Sequence, residues 1–348
     1  MPSYDKIYKM TNRIFLIIII SCLYGTHATA QNKIDYKVVK TFHITSPGGW
    51  DYIAVNKNKV YVSHGTQVNI LDEISGDSVG VIPNTTGVHG IAFDNDLGHG
   101  FTSNGRLNNV TVFDQKTNSI ITQIATTGEN PDAIMYEPYT KTIITNNGHG
   151  KNLSIIDPEK NKVIHTVELD GKPEEGVSDG KGKLFVNLED KSEIAVVDLK
   201  TFKVVARWPL APGEGPSGLA IDKQTNRLFS TCSDSKLLIV MDDTNGKIIA
   251  ELPMGEGVDG AAFDENKKII FAPDGRTGTI AAYRETSPDK FENLGTITTK
   301  MGARTIAIDK KTGDLFLPTA EFEPANPPNT HERPKMIPGS FQVLKVGR

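Results

Sequence analysis

Ionisable side chains recur along the chain at a nearly constant interval. Six of them, which we call the mouth residues, are Asp51, His89, Asp132, Glu175, Asp259 and Arg304, with Ser217 in the same place between Glu175 and Asp259. The intervals are 38, 43, 43, 42, 42 and 45 residues. Carboxylates and imidazole hold a cation or a sugar's hydroxyl groups, whereas a guanidinium offers a bidentate fork to an anion. We therefore look for a repeated element that positions them around one site.

The interval points to a β-propeller. Each repeat contains four short runs rich in β-branched and aromatic residues, separated by Gly, Asn, Asp and Lys turns. In the second repeat these runs are Gly90–Asp94, Gly100–Ser103, Val110–Asp114 and Ile120–Ile124. A period in the low forties with four strands per repeat is typical of a propeller blade. The fold class predicted is all-β: a seven-bladed propeller of four-stranded blades.

The seventh repeat is divided between the two ends of the chain. Thr305–Asp309, Leu315–Leu317 and Phe341–Leu344 supply three strands, after which the chain stops. Tyr36–Ile44 resembles the fourth strands of other repeats, so we expect the N-terminal strand to complete blade seven. That closure would remove the free sheet edge of an open ring.

Gly213–Gly218 fits GxGxxG, but it leads into a strand rather than a helix, and we interpret it as the loop before blade five.

The two faces of such a ring differ in chemistry. The turns after the first and third strands are generic Asp/Lys/Gly reversals. The opposite face carries the mouth residues beside Trp50, and its hairpin tips add a second set of candidate ligand-binding residues: Asn104, Arg106, His149, Glu189, Asp274, Arg276 and Glu321. We expect carboxylates and His89 to hold a cation or hydroxyl groups, and Arg304 and Arg276 to orient an anion. The alternative for each residue is a cap that bonds the backbone at a blade top.

One loop is much longer than its counterparts. Glu321–Ser340 replaces about six residues with twenty, contains five prolines and lies on the face with the mouth residues. We expect an ordered cover with His331, Glu332 and Arg333 at its tip. A solvated crossing is the alternative.

The N-terminus predicts export. Basic residues precede the apolar run Ile14–Cys22, and Ala28-Thr29-Ala30 forms a small-x-small cleavage site. We expect residues 1–30 to be a signal peptide and 31–348 the propeller, located in the periplasm or secreted, with no transmembrane anchor after cleavage. The alternatives are a lipoprotein anchored at Cys22 and a retained membrane anchor. The net charge of −4 becomes about −6 without the leader, so broad nucleic-acid binding is not expected.

The hairpins resemble the YVTN-repeat, YncE-like family of seven-bladed propellers. The likeness lies in the third strands VTVFD, LSIID and IAVVD, in the recurring G-[IL]-A-[FI]-D first strands, and in Tyr-Val-Ser-His at 61–64. The resemblance covers residues 36–348. It implies the propeller fold and a binding or scaffold role in the periplasm or at the cell surface. Related propellers include lactonases and lyases with a metal over the channel, but none of their catalytic motifs carries over to this sequence.

Two functions are consistent with these residues. The first is a monomeric extracytoplasmic binding or scaffold protein that recognises a small molecule, a glycan or a peptide on its channel-mouth face. The alternative is a metal-assisted hydrolase or lyase, lactonase-like, with a divalent ion on carboxylates and His89 or His149. No nucleophile–base pair is identifiable, so the sequence leaves open whether the protein is an enzyme. A divalent metal is the one cofactor considered.

Overall fold

The chain folds as a ring of seven four-stranded antiparallel sheets. The computed structural model describes residues 34–324 and 335–348. Blades one to six use consecutive strands, β2–β5, β6–β9, β10–β13, β14–β17, β18–β21 and β22–β25. Within those described ranges, no helix has the length and apolarity needed to cross a membrane. The predicted fold class is confirmed.

The strands are short, as the sequence pattern predicts. Their bounds are β1 Lys37–His43, β2 Trp50–Asn56, β3 Lys59–His64, β4 Gln67–Asp72, β5 Ser78–Ile82, β6 Val88–Asp94, β7 His99–Asn104, β8 Asn109–Asp114, β9 Ile120–Ala125, β10 Pro131–Glu137, β11 Thr142–Asn147, β12 Asn152–Asp157, β13 Lys162–Glu168, β14 Pro173–Ser178, β15 Lys183–Leu188, β16 Glu193–Asp198, β17 Lys203–Pro209, β18 Pro216–Asp222, β19 Arg227–Cys232, β20 Leu237–Asp242, β21 Ile248–Pro253, β22 Ala262–Asp264, β23 Ile269–Asp274, β24 Thr279–Ser287, β25 Lys290–Thr298, β26 Ala307–Ile308, β27 Leu315–Thr319 and β28 Gln342–Gly347. Two single 3₁₀ turns, Gly105–Leu107 and Glu189–Lys191, follow β7 and β15.

Blade seven joins the two ends of the chain. Its strand order is β1-β28-β27-β26, so the N-terminal strand is the outermost strand, as predicted. Lys37 lies opposite Gly347 and His43 opposite Gln342. The innermost strand β26 has only two residues, fewer than the five predicted, and β28 is longer than predicted. β28 pairs with both β1 and β27, whereas β26 pairs with β27 at Ala307 and Ile308 alone.

The apolar core lies between adjacent blades. The middle strands of each sheet are almost wholly buried, as in β11 (Thr142–Asn147) and β19 (Arg227–Cys232). Large side chains from neighbouring blades interdigitate, as where Tyr61 of blade one lies 4.7 Å from Phe93 of blade two, and within blade seven Phe42 of β1 lies 6.4 Å from Phe316 of β27. Burial between blades explains why a lone four-stranded unit of this kind requires its neighbours.

The face formed by the turns after the third strands is chemically repetitive. The last residue of the third strand is an Asp in blades one to five, and its carboxylate accepts the backbone N–H groups two and three residues later, at 2.7–3.1 Å in Asp72, Asp114 and Asp157. These hydrogen bonds close tight turns. The face has the structural role expected for it.

The GxGxxG segment, Gly213–Gly218, runs into β18, which begins at Pro216. This confirms that the segment leads into a strand.

Candidate functional site at the mouth of the channel

A bulge at the start of the innermost strand places one side chain of each blade at the channel. In blade two, Val88 lies opposite Asn104 but Ile91 lies opposite Thr102, so this strand carries one extra residue. The same register shift occurs in blades one, three, four and five. Bulges of this kind turn a side chain away from its ordinary direction. In each of these innermost strands, the residue that follows the first paired position is the one whose side chain the bulge directs toward the channel.

The bulges define five positions of a ring, the bridge between Val258 and Asp274 marks a sixth, and the sequence repeat gives Arg304 as the seventh. We call it the channel-mouth ring: Asp51, His89, Asp132, Glu174, Ser217, Asp259 and Arg304. The register corrects the sequence repeat at blade four, where Pro173 pairs as Pro131 and Pro216 do. Glu174, not Glu175, therefore occupies the ring position. The proline shared by three blades was the sequence signal that located it.

Hydrogen bonds between blades fix the backbone of the ring. The Ser103 hydroxyl donates to the carbonyl of Asp132, and the Asn146 amide donates to the carbonyl of Glu174. Across the closing junction, the Thr305 hydroxyl donates to the carbonyl of Asp51 at 2.6 Å. Each donor is almost fully buried. The ring is therefore a rigid constellation rather than a set of mobile loops.

Glu175 lies one residue below the ring and caps the next blade. Its carboxylate accepts the backbone N–H of Leu219 at 2.9 Å. Burial, and the charge of Asp259, raise the pKa of Glu175 to about 8. Of the two roles that the sequence left open for this residue, the geometry shows the blade cap, with the side chain also facing the channel.

His89 is a positive group between two carboxylates. Its Nδ1 lies 2.5 Å from Asp51 Oδ2 and 3.7 Å from Asp132 Oδ1. Burial alone would lower the pKa of His89, but the Asp51 hydrogen bond and the Asp132 charge raise it to about 9. At neutral pH the imidazolium therefore donates its Nδ1 proton to Asp51. The other nitrogen packs against Gly105, where an added methyl group would lie 2.6 Å from Nε2.

Arg304 is occupied within the ring. Its Nε donates to Asp259 at 2.9 Å, its Nη2 lies 3.5 Å from Asp51, and the guanidinium lies 5.7 Å from the Trp50 ring centroid. The same nitrogen donates to the Trp50 carbonyl at 3.1 Å. The two carboxylates engage Nε and Nη2 of the guanidinium, so its charge is already partly neutralised within the ring. This pairing favours a cation over an anion as the ligand of the ring.

Acidic groups outnumber basic ones at this site. Lys172 bonds Glu174 at 2.7 Å and also pairs with Glu189, so the described site contains three cationic side chains, His89, Lys172 and Arg304. The carboxyl groups number six: Asp51, Asp132, Glu174, Glu175, Glu189 and Asp259. Burial, reinforced by neighbouring carboxylates, raises the pKa of Asp132, Glu174 and Asp259. The site therefore contains more carboxyl groups than cations and holds several of the carboxyl groups protonated near neutral pH, and an added cation would take the place of those protons.

Three ring residues have the composition of a metal site. Ligand atoms of Asp51, His89 and Asp132 lie within 4.8 Å of one another. Two carboxylates with one imidazole suit a divalent transition metal. The imidazole would offer Nδ1, the nitrogen that now holds the proton shared with Asp51, so a metal would have to displace that proton.

A cavity lies directly beneath the ring. Its volume is about 160 Å³. It is lined by Tyr52, Ile53, Gly90, Ile91, Ala133, Ile134, Met135, Asn146, Glu175, Gly176 and Ile306. Most of these residues follow a ring residue by one to three positions in the same strand, so the ring adjoins a pocket of mixed lining, in which Tyr52, Asn146 and Glu175 are the polar residues.

The hairpin-tip residues predicted from the sequence do not join the ring as a group. Asn104 and Asp274 are buried inside their own hairpins, where Asn104 bonds Asn109 and Asp274 accepts the Thr279 hydroxyl. Burial raises the pKa of Asp274 to about 6. Arg106, His149 and Arg276 are exposed. Only Glu189 connects to the ring, through Lys172.

The long loop of blade seven has an ordered base. Phe322 pairs with Met336, and Glu321 accepts hydrogen bonds from Lys300 at 2.5 Å and Gln342 at 2.8 Å. Phe322 lies 6.1 Å from Trp50, so the base stands beside the ring residue Asp51. The predicted tip residues His331, Glu332 and Arg333 lie outside the described residues.

Comparison with known proteins agrees with this fold. Residues 93–255 match the model of the YncE-like β-propeller. This central part of the seven-bladed propeller is therefore similar to the YncE-like β-propellers. The chain is also similar to the structure titled Kuenenia stuttgartiensis hydrazine synthase, with a TM-score of 0.71 and 13% identity over 92% of this chain and 98% of that chain. At that identity the likeness shows the fold alone. No curated protein sequence matches the chain.

Proposed function

We propose that the protein is an extracytoplasmic binding protein that holds a cationic small molecule in the channel-mouth ring. The observation that carries the proposal is the surplus of carboxyl groups over cations in a rigid, half-buried site. Six carboxyl groups surround three cations, and burial raises the pKa of four of the carboxyl groups. Near neutral pH such a cluster holds its carboxyl groups partly protonated, and a bound cation would displace those protons and pair with the carboxylates. The export signal in the sequence supports the extracytoplasmic location.

The contacts also support a cation over the other ligands considered from the sequence. The charge of Arg304 is already paired with Asp259 and Asp51, which makes it a weaker partner for an anionic group. A glycan would need several free hydrogen-bonding groups and a stacking surface. Trp50, the aromatic residue beside the ring, is covered by Arg304, Phe322 and Phe341.

Calorimetric titration with propylammonium chloride tests the proposal. We compare the wild type with Asp132→Asn, which removes a ring carboxylate, and with Asp96→Asn, a matched change of an exposed carboxylate in the turn after β6. Wild type and Asp96→Asn should bind alike, and Asp132→Asn should bind at least tenfold more weakly. If neither organic nor metal cations bind, or if both variants bind as the wild type does, the proposal is wrong.

A second function has one specific observation in its favour. The geometry of Asp51, His89 and Asp132 suits a divalent ion, which in a metal-assisted hydrolase or lyase would polarise a carbonyl and activate water. These three residues would hold the ion. Metal analysis of the purified protein distinguishes the two functions. One equivalent of metal that is lost in Asp132→Asn would favour the hydrolase or lyase.

A further inference from the structure

The cavity beneath the channel-mouth ring indicates the class of the ligand. We infer that the site takes a small amphipathic amine, with its ammonium group among the ring carboxylates and its hydrocarbon part in the cavity. This inference rests on the proposed function. It adds an independent observation, the pocket with its aliphatic side chains, to the surplus of carboxyl groups in the ring.

The chain itself sets the distance between charge and pocket. Asp51, His89 and Asp132 are each followed at once by cavity-lining residues of the same strand. Successive strand residues are separated by about 3.3 Å. A ligand whose ammonium lies at the ring therefore reaches the cavity with its first few carbon atoms.

The lining is suited to hydrocarbon. Ile53, Ile91, Ile134, Met135 and Ile306 supply apolar surface from blades one, two, three and seven. Among the polar lining residues, the Asn146 amide nitrogen donates to the Glu174 carbonyl and Glu175 accepts from Leu219. Tyr52 and the other carboxylate oxygen of Glu175 complete the polar part of the lining, and the five aliphatic side chains form the surface that a hydrocarbon group would contact.

The volume limits the size of the hydrocarbon part. An apolar cavity of roughly 150 Å³ accommodates a benzene-sized molecule. The cavity here, at about 160 Å³, is of that scale. The fitting ligands are therefore primary amines with a short alkyl chain or a single small ring, rather than long polyamines or basic peptides.

A homologous series of alkylammonium chlorides, from methyl to hexyl, tests the inference by calorimetry. Each methylene that enters the pocket should tighten binding about fourfold, and the gain should stop once the cavity is full. Equal affinity for all members would overturn the inference while leaving cation binding by the ring in place. Absence of binding by every member, with a divalent ion binding in their place, would overturn it in favour of a metal.

Filling the cavity provides the matched test. Ala133→Leu places a larger side chain in the pocket, and Val205→Leu makes a comparable change on an exposed strand far from the site. Ala133→Leu should bind methylammonium with the affinity of the wild type but should no longer bind butylammonium more tightly than methylammonium. Val205→Leu should show the same increase of affinity with chain length as the wild type. Gly176→Ala, which also reduces the cavity, serves if Ala133→Leu does not fold. A folded variant that retains the chain-length dependence would contradict the inference.

Discussion

A buried carboxyl on the face opposite the ring makes stability depend on pH. Glu285 is 6% exposed, and neither of its carboxylate oxygens has a hydrogen-bond partner. It lies between Asp222, whose carboxylate bonds Lys268 at 2.6 Å, and Thr225. Burial and the Asp222 charge, opposed by Thr225 and Lys268, raise the pKa of Glu285 from 4.5 to about 7. We predict that Glu285→Gln stabilises the protein above neutral pH.

The sign and the size of this stability change follow from the pKa of Glu285. The folded protein binds the Glu285 proton more tightly than the unfolded chain does, so Glu285 costs nothing below about pH 4.5 and becomes destabilising as the pH rises to about 7. One pKa unit corresponds to about 1.4 kcal/mol, so the displacement sets an upper limit of about 3 kcal/mol. We expect Glu285→Gln to gain on the order of 1–3 kcal/mol at pH 8 and little at pH 4.5.

Urea unfolding at pH 4.5, 6 and 8 measures the effect, since the difference between wild type and variant isolates the one group. Blade two supplies the reverse control, because the corresponding residue is Gln115, which donates to the carbonyls of Asp94 and His99 and accepts from Asn56. Gln115→Glu should destabilise the protein, because the oxygen that replaces the amide nitrogen would face those two carbonyls, while Lys57, which donates to the Gln115 oxygen at 3.0 Å, offsets part of the cost once the new carboxyl is charged. A Glu285→Gln difference that is constant across the three pH values would refute the reasoning.

Four further predictions follow from the same structure. Phe42→Ala should lower the unfolding free energy by about 3–4 kcal/mol, because Phe42 is buried at the closing junction, whereas Val39→Ala on the exposed side of β1 should change it little in the same urea assay. Deleting residues 31–44 should uncover the edge of β28 and cause a lower melting temperature or self-association by light scattering; a monomer of unchanged melting temperature would contradict the closure. Mass spectrometry of the exported protein should find Gln31 at the N-terminus, and a diacylated Cys22 would show lipoprotein processing in its place. Arg304→Gln should strengthen propylammonium binding severalfold in calorimetry by removing a ring cation, with Arg276→Gln as the exposed control, and weaker binding by Arg304→Gln would argue for an anionic ligand.

The architecture could be predicted from the sequence because each blade is a local pattern. Four short strands and their turns repeat within each period, and the likeness of Tyr36–Ile44 to other fourth strands indicates the closure. The length of β26 could not be predicted, since it depends on which sheet neighbours a strand finds. The ring could be predicted except in blade four, where Glu174 and Glu175 are adjacent carboxylates and only strand register separates them.

The electrostatics of the site could not be predicted, for a tertiary reason. Arg304 is 253 residues from Asp51 in sequence but binds it in space, so its occupied fork is invisible in the repeat. The same holds for Glu175, whose partner Leu219 belongs to the next blade. Asn104 and Asp274 have the residue types of a binding site, yet their side chains stabilise their own hairpins. The sequence indicates the type of each site residue and the face of the propeller on which it lies. The hydrogen-bond partners of these residues and the balance of their charges can be seen only in the folded structure.

A crystal structure of the complex with butylammonium tests the central claim most directly. The account predicts density for one ligand at the channel mouth, with the nitrogen within about 3 Å of carboxylate oxygens of the ring, such as those of Asp132 or Glu174, and the carbon atoms beside Ile134 and Ile306. Density for the ligand on the opposite face or the outer wall, with the ring unliganded at saturating concentration, would contradict it.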